Sequence, residues 1–104
     1  MRTVRILNEA AQEAIEAAAW YEQKQSGLGA QFFAAVEAAF DALENNTIPL
    51  SPLSYKTAAT NAKRLILKHF PYDIVVIEQP GGIIVIAVAH HARKPGYWLE
   101  RHKN

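Results

Sequence analysis

The stretch "YDIVVIEQPGGIIVIAVAH", residues 72–90, decides the fold of this chain. Two apolar runs, 74–77 and 83–89, flank the sequence PGG at 80–82, which is the pattern of a β-hairpin closed by a glycine turn. Neither run alternates apolar with polar residues, although a strand covered on one face only would do so. The stretch therefore predicts two neighbouring strands that are buried on both faces.

The segment before this hairpin has helical spacing instead. Apolar residues at steps of three and four from Phe32 to Leu43 predict a helix over about 28–45, and an alanine-rich stripe predicts another over about 8–25. Gly27 can adopt the left-handed backbone conformation that ends a helix. Because the turn between the two helices is so short, the sequence predicts an antiparallel helix hairpin. We expect Asn8 to cap the first helix. The expected core side of that helix comprises Ala11, Ala14, Ile15, Ala18, Ala19 and Trp20.

Three further segments complete the predicted architecture. Residues 2–7 and 63–70 have strand patterns, whereas residues 46–62 contain two prolines and no period, which predicts a loop. Residues 97–101 suit a last strand, a helical turn or a tail. The length predicts one α+β domain, residues 1–104, with an antiparallel sheet of about four strands, with or without a short fifth segment, and a two-helix hairpin on one face.

Burial of the central strands on both faces raises the question of what covers the face away from the helices. A helix hairpin covers one face of a sheet, and a large apolar patch left open is usually an interface. The sequence offers two answers, which are the chain's own end, with Tyr97, Trp98 and Leu99, and another protein.

Composition narrows the class of protein. The chain has no cysteine, so disulfides and thiol chemistry are excluded. His90 and His91 are adjacent and would point to opposite faces of a strand, and no carboxylate cluster accompanies them, so we expect no metal and no other cofactor. No segment has the length of a membrane span, and the first residues lack a signal-peptide pattern, so we expect a cytoplasmic protein.

Charge is distributed unevenly, although the formal net charge is only +1. Residues 8–45 contain seven acids and one base, whereas the chain from Lys56 onward contains eight bases, three acids and all four histidines. Such asymmetry indicates an anionic partner. The alternative explanation of the asymmetry needs no partner. In it, the acidic residues keep one helix face solvated, and lysines on the strands protect the sheet edge against aggregation.

Two long stretches carry a family resemblance. "AAWYEQKQSGLGAQFFAAVEAAFDALENN" and "RLILKHFPYDIVVIEQPGGIIVIAVAHHARKPGYWLER" resemble the RelE/ParE toxin family in its plasmid-stabilisation-type branch. Members of that branch carry an aromatic pair before GLG and a phenylalanine, an arginine before FPY, and a closing H-x-R-x-P-x-YW motif. The matching residues are Trp20, Tyr21, Gly27, Leu28, Gly29, Phe32, Arg64, Phe70, Pro71, Tyr72, Ile74, His91, Arg93, Pro95, Tyr97 and Trp98.

This resemblance implies the toxin of a type II toxin–antitoxin pair, in which a cognate antitoxin holds a growth inhibitor inactive. The ParE-like hypothesis is action on DNA gyrase or on an unassigned target. The RelE-like alternative is ribosome-dependent cleavage of messenger RNA, and a third is a degenerate, non-toxic relative that only binds a partner. The resemblance leaves open whether the protein is an enzyme.

The cations and rings after the last strand form the candidate toxic surface. Arginine binds phosphate or carboxylate bidentately, histidine shuttles protons, and Arg, Tyr and Trp dominate interface energies, so one set of residues suits both RNA cleavage and protein binding. Alternatively, residues 93–98 merely lock the chain end across the sheet. We assign the toxic surface to Arg64, His91, Arg93 and Tyr97, and expect partner contacts at Lys68, Ile74, Val76, Val85 and Trp98.

Overall fold

The chain folds into a helix hairpin packed on one face of a five-stranded sheet. A computed structural model describes residues 2–53 and 62–101, so part of the predicted loop, residues 54–61, lies outside the described residues. The elements in chain order are β1 (Thr3–Ile6), α1 (Asn8–Lys24), α2 (Leu28–Asn45), β2 (Ser51–Pro52), β3 (Ala62–Ile66), β4 (Tyr72–Gln79), β5 (Gly82–His90) and a 3-10 turn (Leu99–Arg101).

The strand pairing confirms the predicted α+β class and adds a parallel pair. The sheet order is β1-β5-β4-β3-β2, in which β1 runs parallel to β5 and all other neighbours are antiparallel. Parallel pairing requires a long connection, which the helices and intervening strands provide. The fifth strand, β2, lies in the segment predicted as a loop and pairs only with Lys63 and Arg64. Gly81, with φ 75°, closes the β4–β5 hairpin at the predicted turn.

Helix α2 begins and ends where its apolar spacing predicts. Phe32, Val36 and Leu43 are buried, and Gly27 precedes the helix in the predicted left-handed conformation, with φ 88°. The helix hairpin, with its turn at Gly27, is therefore as predicted. Within the described residues, neither helix is long and apolar enough to cross a membrane.

The details predicted for α1 are partly wrong. Leu7 is the N-cap residue in place of Asn8, and in the part of the chain that the structure describes no side-chain hydrogen bond caps the helix start. Ile15 and Trp20 are 50% and 53% exposed. Ala19 is exposed as well, and the buried alanines are Ala10, Ala14, Ala17 and Ala18. Because alanine occurs all round this helix, periodicity did not distinguish its faces, and contact with both α2 and β5 selected the buried one.

The central strands are buried on both faces, as predicted. The helix-side cluster joins Phe32, Val36 and Leu43 to apolar residues of the strands. The far-face cluster, on the side away from the helices, consists of Val75, Ile84, Ile86, Ala87, Ala89 and Trp98. Trp98 is 2% exposed, whereas Leu99 is 41% exposed. The chain's own end, one of the two covers considered for the far face, thus covers this cluster through Trp98.

A β-bulge in β5 determines which face each later residue of that strand occupies. Val75 pairs with Ala87, and the next residue of β4 pairs with Val85, so Ile86 is the extra residue. Ile86 and Ala87 therefore both join the far-face cluster. Alternation then resumes, so that His91, just after the strand, reaches the far face, where it meets a carboxylate of β4.

Candidate functional site

The far face of the sheet holds a cleft of about 320 Å³ at the end where the chain leaves β5. All four residues assigned to the toxic surface, Arg64, His91, Arg93 and Tyr97, line this cleft. Arg64 comes from β3 and the other three follow β5, so antiparallel pairing through β4 brings them together. The structure thus places the four residues at one site, and their role stays a prediction. The apolar side chains that line the cleft are Leu53, Ile66, Val75, Ala89, Pro95 and Trp98.

Asp73 of β4 links two of the predicted residues. Its Oδ1 lies 2.9 Å from Nε2 of His91, and its Oδ2 accepts a 3.2 Å hydrogen bond from Nη1 of Arg64. The Nε of Arg64 is buried without an acceptor among the described residues. Sequence reasoning missed Asp73, because a lone acid at the start of an apolar strand gives no signal until the register places it beside Ile66 and Ala89.

The ring of Tyr97 holds Arg93 in the wall of the cleft. The Cζ of Arg93 lies 3.8 Å from the ring centroid, and the Cζ of Arg101 lies 5.0 Å from the same centroid. Guanidinium groups are attracted to an aromatic face by its quadrupole. Two cations therefore lie where a nucleic-acid base would have to stack on this ring.

The hydroxyl group of Tyr97 is also bound. It donates a 2.5 Å hydrogen bond to Oε2 of Glu13 on α1. Burial, followed by this hydrogen bond, raises the pKa of Tyr97 far above its ordinary value. A phenol that retains its proton so strongly is a poor general base near neutral pH. The contacts of Tyr97 are those of a residue that fastens the chain end to α1.

Glu13 is a second residue that sequence reasoning missed. Its carboxylate accepts hydrogen bonds from both Nη atoms of Arg101, at 2.7 and 2.9 Å, and from the backbone N–H of Val88, at 2.9 Å. Arg101 also donates a 3.1 Å hydrogen bond to the carbonyl of Ile86. Pairing of β1 with β5 ends at Val85, so this ion pair supplies the partners that a neighbouring strand would otherwise provide.

The residues predicted to contact a partner lie in different environments. Lys68 is exposed and does not line the cleft. Ile74, Val76 and Val85 are each 0% exposed in the helix-side cluster, and Trp98 is 2% exposed in the far-face cluster. The four apolar side chains pack inside this chain, so any contact of theirs with a partner would require the core to open.

The two adjacent histidines diverge, as expected for neighbours on a strand. The ring of His90 meets Tyr72 edge-on, with centroids 5.0 Å apart, and its Nδ1 accepts a 2.9 Å hydrogen bond from the N–H of Ala92. His91 instead contacts Asp73 on the far face. In the described ranges, no three His, Asp or Glu side chains are grouped as a metal site would require.

Comparisons with known proteins address the family and the fold. A family model described as "ParE toxin of type II toxin-antitoxin system, parDE" matches residues 4–95. A solved structure, "Chromosomal ParDE TA system from P. aeruginosa", contains a chain with a TM-score of 0.69 and 13% identity, over 86% of this chain and 96% of that chain. At this identity the likeness concerns the fold alone. No curated protein gives a significant match.

Proposed function

The chain belongs to the ParE toxin family of type II toxin–antitoxin systems, and from this premise we propose that it inhibits growth by binding an essential protein target. DNA gyrase is the candidate target, and the cleft lined by Arg64, His91 and Arg93 is the binding surface. A cognate antitoxin neutralises the protein, and its site of action is the cytoplasm.

One observation carries the preference for protein binding over RNA cleavage. The aromatic residue that could transfer a proton or stack on a base is already engaged, since Tyr97 donates a hydrogen bond to Glu13 and two guanidinium groups lie over its ring. Cleavage of RNA requires a proton shuttle together with positive charge directed at the reacting phosphate. A cleft of fixed cations with apolar walls instead resembles the anchoring part of a protein interface.

The alternative of a ribosome-dependent endoribonuclease retains one specific observation in its favour. A carboxylate that binds one ring nitrogen of a histidine orients the other nitrogen for proton transfer, and the 2.9 Å contact of Asp73 with Nε2 of His91 has that form. Arg64, bound to the same carboxylate, would then stabilise a phosphorane. On this hypothesis, cells that express the His91→Gln variant should show no messenger RNA cleavage, whereas cells that express the parent chain should show it.

The proposal predicts that Arg93→Ala abolishes growth arrest and leaves the fold intact. Arg93 is exposed, so its loss removes a binding cation without opening the core. The measurement is growth after induction in a bacterial host, with circular dichroism of the purified variant as a check on folding. Arg5→Ala removes another exposed arginine, outside the cleft, and should remain toxic. Full toxicity of Arg93→Ala would show that the site assignment is wrong.

Further measurements separate the candidate functions. Inhibition of gyrase supercoiling by the purified chain, with DNA-damage signalling and intact messenger RNA in arrested cells, supports the gyrase hypothesis. Cleaved messenger RNA supports the nuclease, and absence of arrest supports a degenerate relative.

Relief of arrest by co-expression of a small neighbouring gene identifies the antitoxin, and arrest that no neighbouring gene relieves contradicts the proposal that an antitoxin neutralises this chain.

A further inference from the structure

We propose that the cleft recognises a carboxylate side chain in a short acidic and apolar peptide segment of a protein partner. The inference rests on the proposed function, because it names the chemistry of the partner that the same cleft would bind. It concerns the occupant of the cleft and does not depend on which essential protein supplies that segment.

Charge selects an anionic occupant. Arg64, Arg93 and Lys94 line the cleft with fixed positive charges, and Asp73 is the one acidic side chain among the described residues of its lining. Asp73 is already paired with Arg64 and His91. Because those contacts neutralise Asp73, an incoming anion meets Arg93 and Lys94 without an unpaired carboxylate among the described residues of the lining. On its other side Arg93 borders a depression that is also lined by Glu13 and Glu16, outside the cleft.

The cation best suited to bind a carboxylate is held in position before binding. The guanidinium of Arg93 is stacked on Tyr97 at 3.8 Å, and Tyr97 is itself fixed by its hydrogen bond to Glu13. A planar guanidinium binds a carboxylate through two parallel hydrogen bonds. Because stacking restricts the side chain in advance, less rotamer entropy is lost when the ligand arrives.

The apolar part of the lining requires a partner with apolar groups beside its charge. Ile66 is 47% exposed at one side of the cleft, and Leu53 and Pro95 also line it. A volume of about 320 Å³ lies at the small end of ligand sites, which suits one or two side chains. A free inorganic anion would leave these apolar groups without a contact, whereas an Asp or Glu flanked by Leu or Val would cover them.

A nucleic acid fits the same cleft less well. Recognition of single strands depends on exposed aromatic rings on which bases stack. Trp98 is 2% exposed, and two guanidinium groups lie over Tyr97, so neither of these two rings offers an open face. The imidazole of His91, which also lines the cleft, is bound to Asp73 through Nε2. Phosphate binding also requires cations spread along a path, whereas those in the lining are gathered in one small cleft.

The test is direct binding of synthetic probes to the full chain made by cell-free synthesis. A fluorescein-labelled peptide, Gly-Leu-Asp-Leu-Asp-Val-Gly-Ser, is titrated by fluorescence anisotropy at physiological ionic strength. The same peptide with Asn in place of both Asp residues, and a labelled oligouridine of similar length, are titrated in parallel. We expect the acidic peptide to bind more tightly than either control, with the Asn peptide weaker by about tenfold or more.

Matched variants locate the binding. Arg93→Gln and Lys94→Gln should each weaken the acidic peptide by about threefold to tenfold or more, while Arg5→Gln, outside the cleft, should change affinity by less than about twofold. Tighter binding of the oligouridine, no measurable binding of the acidic peptide, or equal effects of Arg93→Gln and Arg5→Gln would each overturn the inference. A chain that arrests growth but binds no acidic peptide refutes this inference alone, and a chain that binds the peptide without arresting growth refutes the proposed function instead.

Discussion

At the scale of single residues, Glu13 of α1 binds three residues near the end of the chain, all at least 75 positions away in sequence. Its carboxylate accepts hydrogen bonds from Arg101, from the hydroxyl of Tyr97 and from the backbone of Val88. The side chain of Glu13 is 15% exposed and that of Arg101 is 18% exposed. A carboxylate so little exposed is stable only when donors surround it, and these donors simultaneously fix the segment that carries Arg93.

Replacement of Glu13 by Gln should destabilise the fold by about 2–4 kcal/mol, because Arg101 would remain poorly solvated without its counter-charge. The measurement is the free energy of unfolding in urea, at pH 7. Glu16→Gln is the matched control, since Glu16 is exposed and accepts a hydrogen bond from Gln12 on the same helix, and it should change stability by less than about 0.5 kcal/mol. Equal midpoints for the two variants would refute this account of Glu13.

The raised pKa of Tyr97 predicts how stability depends on alkaline pH. The unfolded chain loses the phenolic proton near the ordinary pKa of about 10, whereas the folded chain retains it to higher pH. As pH rises through and above about 10, the unfolded state therefore binds fewer protons and the free energy of unfolding falls. Tyr97→Phe should reduce the steepness of this fall. Burial also raises the pKa of Tyr72, so part of the dependence will persist in the variant.

The check on this prediction is a series of urea titrations of both chains between neutral pH and about pH 11. The two curves should differ in slope only on the alkaline side, where the phenol of an unfolded chain ionises. A Tyr97→Phe chain whose stability falls as steeply as that of the parent would mean that Tyr97 keeps an ordinary pKa in the fold.

At the scale of elements, the joint between the two helices depends on a carboxylate and on a glycine. The carboxylate of Glu22 accepts hydrogen bonds from the N–H groups of Gly27 and Gly29, at 2.9 and 3.0 Å, which satisfies donors at the start of α2. A Cβ on Gly29 would lie 2.4 Å from the carbonyl oxygen of Ala18. The helices therefore approach closely at this point because the side chain is absent.

Gly29→Ala should destabilise the fold by about 2–3 kcal/mol, because the new methyl group meets rigid backbone of α1. Gly27→Ala, where a Cβ meets nothing within 4 Å, should be destabilising through its left-handed backbone conformation alone. Asn tolerates that conformation, so Gly27→Asn should recover part of the loss, whereas Gly29→Asn should be at least as harmful as Gly29→Ala. Thermal unfolding of the four variants provides the comparison, and recovery at position 29 would contradict the steric account.

At the scale of the whole molecule, the central strands of the sheet are covered on both faces by parts of the same chain. The helices cover one face, and Trp98 fills the core of the other. Of the two covers that the sequence left open for the far face, the chain's own end is therefore sufficient for the central strands, through Trp98. The case for an antitoxin rests on membership of the ParE toxin family.

Trp98→Ala should destabilise the chain by about 3–5 kcal/mol, because it removes the largest side chain of the far-face cluster. This is a large share of a typical stability of about 5–15 kcal/mol, so we expect binding of a hydrophobic dye and self-association on size-exclusion chromatography. Leu99→Ala is the control, since Leu99 is 41% exposed and should change stability by less than about 1 kcal/mol. A Trp98→Ala chain as stable as the control would show that another group seals this face.

The sequence by itself determined the helices, the β4–β5 hairpin and the burial of its strands on both faces, because periodicity and turn chemistry act within short windows of chain. It also indicated, by family resemblance, that Arg64, His91, Arg93 and Tyr97 belong to one surface. Only the tertiary structure decided that Trp98 seals the far face and that Glu13 and Asp73 support the cleft. Those contacts depend on the bulge at Ile86 and on pairings between residues up to 88 positions apart, and no local pattern encodes them.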